Sequence, residues 1–328
     1  MKKKLAVIAI TTSIFLAACG NKESSTNEKA GDNGADTLKV YTTIYPFQYF
    51  TERVGGEYVS VENIVPPGSD AHTVEVKTKE MMELAEGDAF IYSGTGLEPF
   101  ADAVIDAVEN EEVQVVKVTE NVDFIDAKED AHEEEGNEQS DTEEESVEEH
   151  GSEPDVDPHV WLDPSRSIIM AQNIKNALVQ IDPDNKKAFE ENFTALKKDL
   201  EALDADFKEM AETAENETFL VSHSAYGYWD DAYGLQQIAI TGLSPTDEPS
   251  QSELVEIIDL VNKDDLKYIY FEPNLTNKIA ETVQKETGTK TLTLYNLESL
   301  TKENIESGED YLSVMKKNIE ALDQGFSE

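Results

Sequence analysis

Phe189, Phe193, Leu196, Leu200, Leu203, Phe207 and Met210 recur at steps of four and three, a spacing that lines them all along one face of an α-helix. Nothing interrupts the stripe, so one helix of about thirty residues, about 45 Å long, is predicted across the middle of the chain. No hinge lies within it. A coiled-coil seam would use similar spacing, but the phenylalanines suit a globular core better, and the chain is expected to be a monomer. Upstream, Ser165 is placed to cap a helix running to about residue 180, and Asp182-Pro183 supplies a second capping residue and a proline for the first helical position. The span 165–216 is therefore assigned as a long, stiff linking helix.

On either side of it, strands alternate with helices. Before it, strands are predicted at 38–43, 58–65, 89–92 and 113–118, with helices at 45–54, 79–85 and 98–108. After it, strands are predicted at 218–221, 236–240, 266–271 and 291–294. A Ser250-x-x-Glu253 capping box opens a helix to about residue 261, and others are predicted at 276–286 and 310–322. Such alternation indicates parallel sheets with helices on their faces. The fold class is α/β: two βα lobes, 37–164 and 217–328, joined by the linking helix. In sheets of this kind ligands gather beyond the carboxyl ends of the strands, which places the candidate site in the cleft between the lobes.

The formal charge of −44 excludes nucleic acid as a partner, since phosphate backbones are bound by clusters of Lys and Arg. Residues 126–157 carry sixteen Asp and Glu against one Lys and so contribute −15, leaving −29 for the rest. A stretch so charged cannot pack a core and is read as a disordered acidic loop. The single cysteine, Cys19, forbids an internal disulfide. It ends a segment with three lysines and a short apolar run, and Leu16-Ala17-Ala18-Cys19-Gly20 has the form of a bacterial lipobox. Residues 1–18 are then a lipoprotein signal peptide, Cys19 the lipidated residue, and 19–36 a flexible polar tether. The protein is expected on the extracytoplasmic face of the cell membrane, held there by its lipid.

Histidine is scarce: His72, His132, His150, His159 and His223 are all there are. His132 and His150 fall in the acidic stretch. His72 and His223 each come after a predicted strand, one per lobe, and His159 is bracketed by Pro158 and Pro164, which restrict its backbone. Three imidazoles at one cleft suit a borderline-soft divalent cation, and one carboxylate completes a tetrahedron. Two carboxylates follow strands in the second lobe: Glu298, the favoured fourth ligand, and Glu272, the alternative. Ligand histidines must be neutral, so metal affinity is expected to fall as pH drops through about 6.5.

Pro66-Pro67-Gly68-x-x-x-His72, Asp157-Pro158-His159-Val160-Trp161-Leu162-Asp163-Pro164, His223-Ser224-Ala225-Tyr226-Gly227-Tyr228-Trp229 and Ser244-Pro245-Thr246-Asp247-Glu248-Pro249 together resemble the zinc-binding lipoproteins of bacterial ABC importers. The resemblance covers the chain from Leu38 onward. It implies a metal-specific solute-binding protein with one Zn2+ ion, its cargo, between two lobes. By motif position His72, His159 and His223 are its ligands, and Glu298 lies in a segment where relatives carry an acidic residue near the metal. It also implies delivery to a membrane permease driven by a cytoplasmic ATPase. A manganese or iron carrier of the same fold is the alternative, though such relatives pair two histidines with two carboxylates. Some lipoproteins of the family are credited with adhesion, and an adhesin role stays open. No HExxH pattern is present, and two lobes held apart by a stiff helix serve capture better than catalysis, so the chain is read as no enzyme.

Overall fold

The computed structural model describes residues 37–127, 156–275 and 277–327. Cys19, the tether and most of the acidic stretch lie outside the described residues. β1 (Leu38–Thr42), β2 (Val59–Asn63), β3 (Ala89–Tyr92) and β4 (Gln114–Lys117) form a parallel sheet in the order β2-β1-β3-β4. β5 (Thr218–His223), β6 (Gln236–Thr241), β7 (Tyr268–Phe271) and β8 (Lys290–Thr293) form a second in the order β6-β5-β7-β8. The lobes thus share one topology. In each, the chain steps to one side of its first strand and then to the other, which makes β1/β3 and β5/β7 the switch points where ligands settle.

Helices α1 (Tyr45–Gly55), α2 (Thr78–Leu84) and α3 (Ala101–Val108) belong to the first lobe. The span 165–216 is not one rod. It holds α4 (Pro164–Ile181) and α5 (Lys186–Thr213), which fold back against each other across a 3-10 turn at Pro183–Asn185. Asp182 caps that turn, accepting from the Asn185 N–H. Asp163, not Ser165, caps α4: its carboxylate takes the Ser165 N–H at 2.7 Å, and Pro164 fills the first helical position. The 28 residues of α5 make it about 42 Å long, and it links the lobes. The second lobe adds α6 (Gly227–Tyr233), α7 (Gln251–Lys263), α8 (Lys278–Thr287), α9 (Lys302–Glu306) and α10 (Tyr311–Phe326). The short helices α6 and α9 carry too few turns to show a helical period in sequence.

The apolar stripe of α5 is consumed inside the chain. Phe189, Leu196, Leu200, Leu203, Phe207 and Met210 are buried and Phe193 is half-buried, in one core that runs from Phe47 and Phe50 of α1 to Phe219 and Trp229 of the second lobe. α10 spans the same distance on another line. Its Tyr311 stacks on Tyr49 with ring centroids 5.6 Å apart, while Phe326 meets Phe219 edge-on at 6.2 Å. Two helical braces and a shared core therefore hold the lobes.

The acidic stretch is ordered at both ends, which corrects the expectation of a disordered loop through 126–157. Asp126 bridges Val156, the Asp157 N–H donates to the Ile125 carbonyl at 3.2 Å, and Asp157 itself is buried. Residues 128–155 lie outside the described residues.

If α5 is a load-sharing brace, truncating its buried face should unfold more than its own helix. Leu200→Ala is expected to cost about 2–5 kcal/mol of global stability, whereas Lys198→Ala, exposed on the same turn, should stay within about 0.5 kcal/mol. Urea denaturation of the metal-free protein, followed by circular dichroism and by tryptophan fluorescence, measures both.

Candidate metal centre

The proline-bracketed motif forms the floor of the seam between the lobes. Val160–Leu162 makes a 3-10 turn. The Trp161 indole N–H donates to the Asn296 carbonyl at 2.6 Å, and the Tyr311 hydroxyl donates to the Trp161 carbonyl at 2.6 Å. The Trp229 indole N–H donates to the Leu162 carbonyl at 2.9 Å. Arg166 clamps the turn from beneath, bound to Asp163 at 2.6 Å and Asp231 at 2.7 Å and lying over the Tyr228 ring. His159 is fully buried on this floor. Its Nδ1 lies 2.9 Å from Asp157 Oδ1, which also accepts the His159 backbone N–H at 2.9 Å. A carboxylate acceptor keeps the proton on Nδ1 and leaves Nε2 as a bare lone pair. Gly227 makes room for this carboxylate, since a Cβ there would stand 2.6 Å from Asp157 Oδ2.

His223 is the last residue of β5, paired in the ladder with Thr241, rather than part of the loop beyond it. Its Nδ1 is 3.0 Å from Glu272 Oε1 and its Nε2 is 2.9 Å from the Leu243 carbonyl. His72 does not directly follow β2 either. It sits in a 3-10 turn at Ala71–Thr73 capped by Asp70, beyond the loop at 64–70. Its side chain, 12 % exposed against none for His159 and His223, is the edge of the site nearest solvent.

Glu298 arrives from the second lobe behind Leu297, a buried leucine with φ +64°. That left-handed geometry costs an L-residue about 1–2 kcal/mol. It turns the chain so that Glu298 aims into the seam. Asn296 holds it from both sides, its amide donating to Glu298 Oε1 at 3.0 Å and its carbonyl oxygen accepting the Glu298 N–H at 3.1 Å. Glu298 Oε2 takes the Ala71 N–H of the opposite lobe at 2.9 Å. Oε1 stands 3.7 Å from both His72 Nε2 and His159 Nε2.

One nitrogen from each of His72, His159 and His223 lies within 4.8 Å of the other two. Among the described residues four buried side-chain polar atoms have no hydrogen-bond partner, and three of them, His72 Nε2, His159 Nε2 and Glu272 Oε2, are here. Groups left so are expensive and mark a site with work to do. Burial first, and the neighbouring His223 second, hold the imidazoles of His72 and His159 below their usual range, that of His72 at about 4. His223 goes the other way. Burial opposes its charge, but the Glu272 carboxylate against Nδ1 outweighs that and lifts it to about 9. Burial pushes the Glu298 carboxyl up to about 8, against the pull of His223. The depressed imidazoles of His72 and His159 offer lone pairs directly, whereas His223 and Glu298, both raised, give up protons as they take a cation.

Residues 40–325 match the family model described as zinc-uptake complex component A periplasmic. The chain belongs to this family. The zinc-binding lipoprotein AdcA of Streptococcus pneumoniae serotype 4 is 36% identical over 327 residues, 99% of this chain and 61% of that protein. This chain therefore spans about 61% of the length of that relative. The high-affinity zinc uptake system protein ZnuA of Bacillus subtilis is 34% identical over 98% of both chains. A crystal structure of the Zn(II)-bound ZnuA-like domain of the pneumococcal AdcA superposes with a TM-score of 0.72 at 34% identity, covering 89% of this chain and all of that one.

For this member of the zinc-uptake family, the fold brings together His72, His159, His223 and Glu298. Glu272 touches His223 instead of the open face of the cluster. Asp157 and Tyr226 stand in the sequence motifs without an assigned role, and Asn296 and the Leu243 carbonyl are not marked there at all. The Asp two residues before a scarce His and the Asn two residues before Glu298 were signals that could have been read, since Asx side chains bond two residues onward. The Leu243 carbonyl carries no side-chain signature at all.

The pKa directions predict how metal-free stability depends on pH. His72 and His159 are depressed, so the unfolded chain binds more protons and stability is lost as pH falls below about 6.5, toward 4 for His72. His223 and Glu298 are raised, so the folded chain binds more protons and stability is lost as pH rises toward 9 and 8 respectively. The thermal midpoint in chelator should peak near pH 6.5, and Glu298→Gln, which cannot ionise, should flatten the alkaline arm between pH 6.5 and 8. Calorimetry of both proteins across this range is the check.

Proposed function

We propose that the chain captures Zn2+ outside the cytoplasm with high affinity and delivers it to the permease of an ABC importer, whose ATPase drives uptake. His72, His159, His223 and Glu298 are the ligands in this reading, and the ion is cargo. The observation that carries it is the pair of buried, unpartnered Nε2 atoms on His72 and His159, each 3.7 Å from one oxygen of Glu298. Nitrogens at Zn–N distances of about 2.0–2.1 Å in a tetrahedron are about 3.3 Å apart, so nitrogens within 4.8 Å reach that geometry by small side-chain shifts. Three imidazoles and one carboxylate favour zinc over manganese or iron, which take harder donor sets. The names of the relatives support the same cargo. Burial on every side but that of His72 fits a carrier, which sequesters its ion, better than an enzyme, which keeps a place open for water.

The lipobox at Cys19 gives the protein its place: a monomer held to the outer face of the cell membrane by its lipid, with 19–36 as tether. No described helix is long and apolar enough to cross a membrane.

Native mass spectrometry of protein purified without added metal, with zinc and manganese then offered in competition, tests the reading. One zinc per chain, lost in His159→Ala, is the expected result. Preferential retention of manganese would sink it.

The pH dependence of affinity is expected to differ from that of free imidazoles at about 6.5. His72 and His159 are neutral well below that and lose no proton on binding. Zinc must instead displace protons from Glu298, raised to about 8, and His223, raised to about 9. Affinity should therefore climb with pH between 6 and 8 by up to about two log units per pH unit and level off above 9. Chelator competition gives the slope, and binding enthalpies in buffers of different ionisation heat count the protons released.

A further inference from the structure

β5 and β7 are neighbours in the second sheet, with Leu220 opposite Ile269 and Val221 opposite Tyr270. Continuing that register sets His223 opposite Glu272, at the switch point of the lobe. Pro273 follows, which disfavours helical geometry at Glu272, and the Glu272 side chain meets that of His223 at 3.0 Å. The Tyr226 hydroxyl donates to the same oxygen, Oε1, at 3.2 Å, and Tyr226 is itself buried. Oε2 is buried with no partner. Burying a carboxylate half-satisfied is costly to the fold, and the imidazole of His223 is what Glu272 meets there.

On its other edge His223 is bonded to the Leu243 carbonyl at 2.9 Å. That carbonyl belongs to a turn closed on itself, with the Gly242 N–H donating to the Asp247 carbonyl at 3.0 Å and the Ser244 N–H to Asp247 Oδ2 at 3.1 Å. His223 Nε2 is thus the one imidazole edge of the three that an ion has to win from a protein acceptor, whereas His72 Nε2 and His159 Nε2 stand bare. When Nε2 leaves Leu243, the Nδ1 bond to Glu272 is the hydrogen bond that remains on the ring.

We propose that Glu272 is the positioning residue of the third histidine: it holds the Nδ1 edge of His223 while the Nε2 edge exchanges the Leu243 carbonyl for the metal ion. The role rests on the zinc-capture reading and extends it. It gives His223, through the sheet register, what Asp157 gives His159 through two residues of local chain. Glu272 is not a ligand here. It decides which nitrogen of His223 meets the ion, and from what direction.

The test compares wild type, Glu272→Ala, Glu272→Gln and His159→Ala, each first confirmed folded by its metal-free thermal transition. Zinc affinity comes from chelator competition, ligand geometry from the visible absorption of the Co(II)-loaded protein, and ring protonation from NMR of isotope-labelled histidine. Glu272→Ala should weaken zinc by about 10–100-fold, alter the cobalt spectrum and lose the Nδ1 proton signal of His223. Glu272→Gln, which keeps an acceptor for Nδ1, should restore the spectrum and most of the affinity. Zinc binding and a cobalt spectrum unchanged in Glu272→Ala would overturn the role while leaving zinc capture standing. Equal losses in both variants with an unchanged spectrum would overturn it too, because geometry would then not be what Glu272 supplies. Wild type that binds neither ion, or His159→Ala that binds as wild type, would overturn the functional reading and this role with it.

Discussion

Two imidazole lone pairs, on His72 and His159, are kept buried and bare, and much of the rest of the structure serves that condition. A buried acceptor without a partner forgoes the hydrogen bond that water would give it. The chain offsets that by satisfying everything adjacent. Asp157 takes both N–H groups of His159, Asn296 takes both sides of Glu298, and the indoles of Trp161 and Trp229 tie the loop down. Leu297 in left-handed backbone adds strain to the same end. The surroundings are over-determined so that a few atoms can remain under-satisfied.

The two lobes use one topology for different ends. In the second, the β5/β7 switch point carries His223 and Glu272. In the first, the matching place between the ends of β1 and β3 is filled by a buried carboxyl, Glu98. It accepts the Thr43 hydroxyl at 2.6 Å and the Ser93 N–H at 2.9 Å, and burial raises it from its ordinary value. With that crevice plugged, the first lobe presents its histidine from the loop after β2 instead. Two residues beyond Thr43, the Tyr45 N–H donates to the Glu298 carbonyl at 2.9 Å. The plug therefore also stiffens the strand end on which Glu298 of the other lobe leans.

Legibility in the sequence followed how local each interaction is. The stripe from Phe189 to Met210 and the strand–helix alternation were plain, because a period of 3.6 or 2 is written into consecutive residues. Scarcity made His72, His159 and His223 stand out, and position after a strand made Glu298 and Glu272 the two carboxylates to weigh. What separated those two was not local. Glu272 reaches His223 through the register of β5 and β7, and Glu298 reaches His72 and His159 through a turn closed by bonds between lobes. The cap at Asp163 and the buried end of the acidic stretch at Asp157 differ from the sequence expectation for related reasons. A Pro after Asp outranked the serine that follows it, and Asp157 is paired with a buried imidazole rather than with its acidic neighbours.

The bracing also limits how such a site can select its ion. α5, α10 and a core shared between lobes oppose any large opening, since separating the lobes would expose apolar surface at about 25 cal/mol per Å2. Adjustment is left to side chains and to short turns such as those at Ala71–Thr73 and 242–247. In a frame that yields so little, the donor set and its spacing decide affinity more than closure does. A cation content with three nitrogens and one oxygen in a small tetrahedron fits with shifts of an ångström or two. One that requires more oxygens has Asp70 within reach of His72 and Glu298, where its carboxylate also accepts the His72 N–H and the Thr73 hydroxyl that shape the turn. Drawing Asp70 onto an ion would pull on those two bonds and so on the turn that presents His72, a cost that a three-histidine set with one carboxylate does not carry.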